Sequence, residues 1–221
     1  MKISVILAHP HPGSFNHAIA RCALDALGQN GHQAVFHDLC QEQFPPVLSG
    51  TELDRNAPLE PVIAAHCREI VEADGIMIVH PNWWGMPPAI LKGWIDRVLR
   101  MGVAYRFDTD DQGEGVPVGL LKARCALIFN TANTPEQREQ EIFGDPLETL
   151  WKKCVFGLCG VKRVRRRTFS VVVTSNPEQR HEWLDEVRSI VNEAFPGHSE
   201  RFRGFGATGR IAKARPGKPG R

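Results

Sequence analysis

Apolar positions in this 221-residue chain follow two alternating patterns. Short runs of apolar, mostly β-branched residues without polar alternation are typical of strands buried on both faces of a parallel sheet. Longer segments carry apolar residues at helical spacing. The runs predict strands at residues 2–8, 33–37, 75–79, 124–130 and 166–174, and the spaced segments predict helices at 15–31, 59–72, 89–101, 146–158 and 177–195. This regular alternation predicts a doubly wound α/β domain, with a five-stranded parallel sheet covered by helices on both faces.

Segments with neither pattern are predicted to be connections or loops. A Pro-containing connection covers residues 41–58, and a polar, Gly-rich loop covers 108–119. In doubly wound folds ligands bind beyond the carboxyl ends of the strands. Three loops follow predicted strands there, at residues 9–14, 81–88 and 130–137, and we expect them to form one site.

The loop His9–Ser14 (HPHPGS) leads directly into a predicted helix. Free backbone N–H groups and the helix dipole at such a position attract a phosphate. Gly13 permits close backbone approach, while His9, Ser14 and Asn16 supply side-chain donors. The alternative is a capped turn without a ligand. The loop lacks the nucleophilic Cys and the Arg of the phosphotyrosine phosphatases, which argues against covalent phosphoryl chemistry.

Two further loops supply the chemistry for a planar ligand. Trp83 and Trp84 lie in a Pro- and Gly-rich loop, where aromatic rings are suited to lining a flat ring. The alternative is that they are core tryptophans. Residues 130–134 are polar after an apolar strand and could hydrogen-bond a ring edge, or form a plain polar turn. The segment GFGATG at 204–209 has no strand before it, so we read this dinucleotide-type match as chance.

The segments LAHPHPGSFNHAI and HPNWWGMPPAILKGWIDRV resemble the NAD(P)H:quinone oxidoreductase (DT-diaphorase-like) family. The similarity continues through AYRF at 104–107 and RCALIFN at 124–130, and covers roughly residues 2–160. The resemblance implies a flavodoxin-like fold with strand order 2-1-3-4-5, a tightly bound flavin, and a homodimer with active sites at the interface. It favours FAD over FMN as the cofactor, and NADH or NADPH as the co-substrate.

The resemblance also assigns residues by position. Those expected around the flavin phosphates are His9, Ser14, Phe15, Asn16 and Ala18. Those expected along the isoalloxazine are Pro81, Asn82, Trp83, Trp84 and Gly85, with Thr131, Ala132 and Asn133 at its pyrimidine edge. Tyr105 and Phe107 are expected to reach across the dimer and wall the substrate pocket. Gln137 and Phe143 stand where the mammalian enzymes carry a Tyr and a His that relay charge, so we expect no dedicated side-chain acid.

These assignments predict a flavin-dependent NAD(P)H oxidoreductase that passes a hydride through the flavin to a quinone-like acceptor in a ping-pong cycle. Two other readings stay open. One is a flavin-binding regulatory subunit of a potassium-efflux-type transporter, which would bring a membrane partner. The other is a flavodoxin-like electron carrier.

Charge is uneven along the chain. Seven Lys or Arg residues follow Glu200, and the rest carries 20 basic and 25 acidic residues. We therefore predict a folded domain at 1–198 and a basic, Gly- and Pro-containing disordered tail at 199–221. We predict no nucleic-acid partner and no metal site. The six cysteines form no CxxC pair, and no apolar stretch nears the roughly 18 residues that span a membrane, so we expect reduced thiols and a cytoplasmic protein.

Overall fold

A computed structural model describes residues 1–54, 56–108 and 115–197. In chain order its strands are β1 (Lys2–Leu7), β2 (Gln33–Asp38), β3 (Gly75–Pro81), β4 (Tyr105–Asp108), β5 (Val116–Gly119), β6 (Cys125–Ala132) and β7 (Arg163–Ser170). Five of them form a parallel sheet in the order β2-β1-β3-β6-β7, and β4 and β5 form a separate antiparallel pair. Counting only the strands of the large sheet, this is the predicted order 2-1-3-4-5, so the five-stranded parallel sheet is confirmed.

Helices pack against both faces of this sheet. Their bounds are α1 (Phe15–Gln29), α2 (Pro61–Glu72), α3 (Ala89–Val98), α4 (Glu136–Glu141), α5 (Pro146–Thr149) and α6 (Pro177–Ala194). One core cluster joins α1 and α6 to Leu7, Val79 and Phe129. The other joins α2, α3 and the segment after α5 to the opposite face, through Ile78 and Ile128 among others. Alternate strand residues therefore enter different cores, as the pleat of a two-sided sheet requires.

Strand register places the three predicted loops at one edge. Leu7 lies beside Val79, and Val79 lies beside Phe129, so the carboxyl ends of β1 (Leu7), β3 (Pro81) and β6 (Ala132) lie within a few residues of one another at the same edge. The loops after these strands therefore start from adjacent points of the sheet.

The last strand of the sheet lies earlier in the chain than predicted. The sequence favours residues 166–174, but β7 spans Arg163–Ser170 and is followed by a 3₁₀ turn at Val172–Thr174. The prediction was shifted toward the C-terminus because residues 171–173 are apolar and β-branched, whereas the edge strand itself is rich in Arg. Edge strands tolerate such charge because their side chains find partners at the surface. Arg166 pairs with Glu148, and Arg167 pairs with Glu186.

Two loop predictions are corrected by local structure. Val116–Gly119 pairs with Tyr105–Asp108 as a hairpin, although 108–119 is predicted to be loop; residues 109–114 lie outside the described part. The polar segment after β6 contains α4. The predicted helix at 146–158 begins as α5 and continues as a π-helical turn at Leu150–Val155. The strand pairing was missed because this antiparallel pair has only four residues in each strand and is mostly exposed, so it lacks the apolar run used to recognise buried strands.

The predicted disordered tail at 199–221 and the glycine motif at 204–209 lie outside the described residues. Within the described part, none of the helices has the length and apolar character of a membrane span.

Candidate functional site

The three loops converge on one cavity of about 530 Å³. Ten of the thirteen residues predicted to bind the cofactor line it: His9, Ser14, Phe15, Asn16, Pro81, Asn82, Trp83, Thr131, Ala132 and Asn133. A volume of this size fits the usual range for small-molecule and cofactor sites. The sequence also allowed a capped turn at 9–14 and a plain polar turn at 130–134. Because residues of all three loops line one cavity, these loops are not separate turns.

The start of α1 forms one end of this cavity, which we call the cofactor cleft. Ser14 is the N-cap, and its hydroxyl accepts the backbone N–H of His17 at 3.4 Å. The first-turn N–H groups of Phe15 and Asn16 have no intrahelical acceptor, as expected at a helix start. These groups and the positive end of the helix dipole make this end an anion site.

His9 adds a donor beside that anion site. Its Nδ1 accepts the backbone N–H of His11 at 3.1 Å. Burial keeps the pKa of His9 below its usual value of 6.5, so the ring is neutral at physiological pH. Since Nδ1 is the acceptor, the single ring proton lies on Nε2 and is available to a ligand.

Buried amide oxygens without partners mark the middle of the cleft. The Asn16 Nδ2 donates to Thr131 Oγ1 at 2.8 Å, and the Asn82 backbone N–H donates to the Thr131 carbonyl at 2.7 Å. The Oδ1 atoms of Asn16 and Asn82 are buried and find no hydrogen-bond partner within the described residues. Because buried acceptors are normally satisfied, these two oxygens fit a ligand that brings N–H or O–H donors. A flavin carries such groups on its ring and ribityl chain.

The aromatic loop after β3 ends in a tight turn. Trp83 and Met86 exchange both backbone hydrogen bonds, at 3.1 and 3.0 Å, around Trp84 (φ +58°) and Gly85 (φ +71°). Two central residues with positive φ match a type I′ turn. The Trp83 side chain is 45% exposed and that of Trp84 is 100% exposed, so the alternative reading of core tryptophans is wrong for both.

A second cavity of about 530 Å³, which we call the aromatic cavity, adjoins the cleft. It shares Asn82 and Thr134 with the cleft. Its other lining residues are Trp84, Gly85, Glu139, Phe143 and Pro146. The predicted ring-binding residues Trp84 and Gly85 therefore line the aromatic cavity and not the cleft.

Three predicted residues lie apart from both cavities. Ala18 is half-buried on the first turn of α1. Tyr105 and Phe107 lie on the β4–β5 pair, where their rings meet edge to face at 5.7 Å, and they line neither the cleft nor the aromatic cavity of their own chain.

Sequence reasoning missed the contribution from the end of the sheet. Val172, Val173 and Arg180 line the cleft from the turn after β7 and from α6. The Val173 backbone N–H donates to Asn133 Oδ1 at 3.0 Å, which ties this turn to the third loop. Since 171–174 was predicted as strand, no sequence signal placed these residues beside the cleft.

The positions aligned with the family's charge relay show no relay chemistry. Gln137 is exposed, and its amide donates to Glu141 at 3.1 Å. Phe143 offers an aromatic wall of the aromatic cavity instead of an imidazole. A buried carboxylate that sequence reasoning also missed, Glu139, accepts the Asn82 Nδ2 at 2.9 Å.

A buried polar network centred on His80 fixes the start of the aromatic loop at the end of β3. His80 is fully buried, and its Nδ1–H donates to the Pro81 carbonyl at 2.8 Å. Its Nε2 accepts from Asn130 Nδ2 at 2.8 Å and from Trp151 Nε1 at 3.0 Å. Burial lowers the pKa of His80 to about 4. The ring is therefore neutral at physiological pH, and it holds the first carbonyl of the loop in one orientation.

A separate cluster of His37, Glu42 and His66 brings three side chains with metal-ligand chemistry together. Trp94 Nε1 donates to His66 Nδ1 at 3.1 Å. Burial, followed by the nearby His37, lowers the pKa of His66 to about 4, so its ring is neutral and carries its proton on Nε2. The nitrogen that faces Glu42 thus presents an N–H and no lone pair, which suits a hydrogen-bonded cluster better than a metal centre.

Comparison with known proteins agrees with this geometry. The family model described as "Flavodoxin-like fold" matches residues 1–192. An uncharacterized NAD(P)H oxidoreductase of Haemophilus influenzae is 35% identical, with 76% of this chain and 83% of that protein covered. NAD(P)H dehydrogenase [quinone] 1 of Rattus norvegicus is 32% identical, with 82% and 73% covered. A crystal structure of a Streptococcus mutans protein superposes with a TM-score of 0.77 at 29% identity, covering 87% of this chain and all of that one.

Proposed function

Because the chain belongs to the flavodoxin-like family of NAD(P)H:quinone oxidoreductases, we propose that it binds a flavin in the cofactor cleft and passes a hydride from NADH or NADPH to a quinone-like acceptor. When bound, the flavin supplies the redox chemistry between the two substrates. The protein's own residues would bind the flavin, orient it and determine which substrates can bind at its exposed face.

The observation that supports this proposal most strongly is that three loops converge on one cleft. One end of this cleft suits a phosphate, and the rest suits a planar ring. The α1 N-terminus and the Nε2–H of His9 would hold the phosphate. The unpartnered oxygens of Asn16 and Asn82 would accept ribityl or ring donors. Loop 81–85 would follow the ring plane, with its backbone fixed by His80.

The third loop would serve the ring's pyrimidine edge. Its Asn133 Oδ1 is engaged by the Val173 N–H, which leaves the Asn133 side-chain NH₂ as the donor. Donors at this edge stabilise negative charge that develops there on reduction. No side-chain acid takes part in this proposal, in line with the absence of relay residues at Gln137 and Phe143.

The open end of the aromatic cavity suits two substrates that bind in turn. Trp84 and Phe143 offer flat apolar surfaces, and both are well exposed. Planar nicotinamide and quinone rings could stack there successively, as a ping-pong cycle requires. In a homodimer, Tyr105 and Phe107 would complete this cavity from the partner subunit, since they line neither the cleft nor the aromatic cavity of their own chain. The exposed apolar side chains of Ile142, Met86 and Phe107 support such an interface.

The extent of the cleft supports FAD as the working cofactor. Beyond the start of α1 the cleft continues to Val172, Val173 and Arg180. The Arg180 guanidinium lies 6.0 Å from the centre of the Phe15 ring. A cation beside an aromatic ring suits a second phosphate and a second planar group, which FAD has and FMN lacks.

The test begins with the purified protein and the cofactor it retains or takes up. Mass spectrometry of the released flavin distinguishes FAD from FMN. Steady-state oxidation of NADH or NADPH with a neutral naphthoquinone should give parallel double-reciprocal lines. A protein that takes up neither flavin would overturn the proposal. Flavin binding without turnover would instead support an electron carrier or a regulatory subunit.

A further inference from the structure

Glu139 lines the aromatic cavity, and the proposed function gives it no role. The residue is on α4, and only 8% of it is exposed. Its Oε1 accepts the Nδ2 of Asn82, and Asn82 lines both the cofactor cleft and the aromatic cavity. A carboxylate is thus held close to the place where an acceptor ring would bind.

This carboxylate has no ion-pair partner among the described residues. Among the residues that the structure describes, no Lys, Arg or His nitrogen lies within 4.0 Å of Glu139. The guanidinium groups of Arg166 and Arg167 line a neighbouring polar cavity together with Glu139. They form their ion pairs with other carboxylates, Arg166 with Asp145 and Glu148 and Arg167 with Glu186. Buried carboxylates are normally paired, so an unpaired one facing a cavity fits a ligand that brings the missing charge or donor.

The walls of the aromatic cavity define the shape of that ligand. Trp84 and Phe143 provide two aromatic surfaces, and Glu139 is the ionisable side chain among the described lining residues. Aromatic faces attract cations as well as flat apolar rings. Both features favour a planar ring with a positive charge or an N–H donor, and both disfavour an anionic ring.

We propose that Glu139 sets the charge preference of the acceptor, so that cationic or N–H-bearing planar quinones and quinone-imines are preferred over sulfonated or carboxylated ones. This inference rests on the proposed function, because it concerns the second substrate of that same site. The competing explanation is that Glu139 only orients Asn82. The Glu139→Gln variant separates the two, since its amide oxygen keeps an acceptor for Asn82 and the charge is lost.

The experiment compares wild type, Glu139→Gln and the control Glu136→Gln in the flavin-loaded protein. Glu136 is on the same helix, is exposed, and lines neither the cleft nor the aromatic cavity. Three naphthoquinones serve as acceptors: unsubstituted, sulfonated and trimethylammonium-substituted. As a readout independent of turnover, the dissociation constant of the planar N-methylacridinium cation is measured by fluorescence quenching.

We expect wild type to prefer the cationic over the sulfonated quinone in kcat/KM, and Glu139→Gln to lower this ratio about tenfold. Binding of N-methylacridinium should weaken by a similar factor, while the neutral quinone and the Glu136→Gln control change little. An unchanged ratio in Glu139→Gln, or an equal loss in Glu136→Gln, would overturn the inference. If wild type reduces none of the quinones, the proposed function fails, whereas turnover without charge preference overturns only the role of Glu139.

Discussion

At the scale of single residues, Trp84 holds a bulky side chain in a left-handed backbone conformation with its ring fully exposed. This conformation costs an ordinary residue roughly 1–2 kcal/mol, and Asn adopts it more readily. We expect Trp84→Asn to raise the unfolding free energy of the flavin-free protein by about 1 kcal/mol, because no packing of the ring is lost. The same variant should raise KM for planar acceptors. Urea denaturation and steady-state kinetics measure the two effects.

A substitution at Gly85, in the same turn, provides a control that should lower the unfolding free energy. Its φ is +71°, and a Cβ there would lie 2.6 Å from Pro146 Cγ. Gly85→Ala should therefore destabilise the protein, by roughly 1–2 kcal/mol. A Trp84→Asn protein that is also less stable than wild type would show that the Trp84 ring gains contacts, for example across a subunit interface.

The sequence indicates those site residues that directly follow a buried strand. His9, Asn82 and Thr131 could be placed because β1, β3 and β6 end at one edge, and an apolar run marks each strand. Arg180 and Glu139 could not be placed in this way. They reach the site from helices, and their position depends on where β7 ends and how α4 packs, which local pattern does not encode.

At the scale of elements, the N-terminus of α1 should bind the flavin phosphate through charge. Ser14→Asp and Ser14→Asn are a matched pair, because Asp and Asn are both good N-caps and both can accept the His17 N–H. Only Asp adds a negative charge beside the bound phosphate. We expect Ser14→Asp to weaken flavin binding tenfold or more, roughly the effect of one close like charge, and Ser14→Asn to change it little. Equilibrium titration of the flavin-free proteins, followed by flavin fluorescence, measures both.

Similar melting temperatures of the two flavin-free variants would show that the helix cap is intact. If Ser14→Asp binds flavin as tightly as Ser14→Asn, the phosphate does not lie at this helix start. The cofactor would then have to bind in another orientation.

Elements differ in how well the sequence predicts them, and burial is the reason. The inner strands and the long helices show clear periodicity because each packs against the core. The β4–β5 pair has mostly exposed side chains, and β7 is an Arg-rich edge strand, so neither repeats the buried pattern. Contacts between residues distant in sequence, such as the pairing of Arg166 with Glu148 at β7, leave no periodic signal in the local sequence.

At the scale of the whole molecule, neutral buried histidines should make the fold acid-sensitive. His66 is 3% exposed, packs beside His37 and faces Glu42 and Glu69 across the cluster. Its pKa is about 4 in the folded protein against 6.5 as a model value. Between these values the unfolded chain binds more protons, so stability falls as the pH falls from about 6.5 to 4, by up to about 3 kcal/mol for this one residue.

The His66→Asn variant tests this dependence, because Asn Oδ1 can still accept the Trp94 N–H but does not titrate in this range. We expect the unfolding free energy of His66→Asn to change less steeply between about pH 4.5 and 7 than that of wild type. The exposed His181 gives a control, His181→Asn, which should keep the wild-type slope. Equal slopes for all three proteins would mean that folding does not lower the pKa of His66.

Subunit assembly leads to the last prediction. Phe107 is 48% exposed and lines neither cavity of its own chain, so in the proposed homodimer it serves the partner's site. At a flavin concentration well below the raised dissociation constant of Ser14→Asp, this variant should lack flavin but keep the Phe107 ring. Phe107→Asp should bind flavin but lose the ring that lines the partner's site. Each variant alone is expected to have little quinone reductase activity.

Mixing and reassociating the two variants in equal amounts should restore activity. Random pairing makes half of the dimers mixed, and one of the two sites in a mixed dimer is complete, so about a quarter of wild-type activity is expected. Sedimentation velocity verifies that Phe107→Asp is still dimeric. If Phe107→Asp alone is dimeric and fully active, the Phe107 ring does not line a substrate site. If both variants are dimeric and inactive but the mixture stays inactive, Phe107 acts within its own subunit, and the site is not shared across the interface.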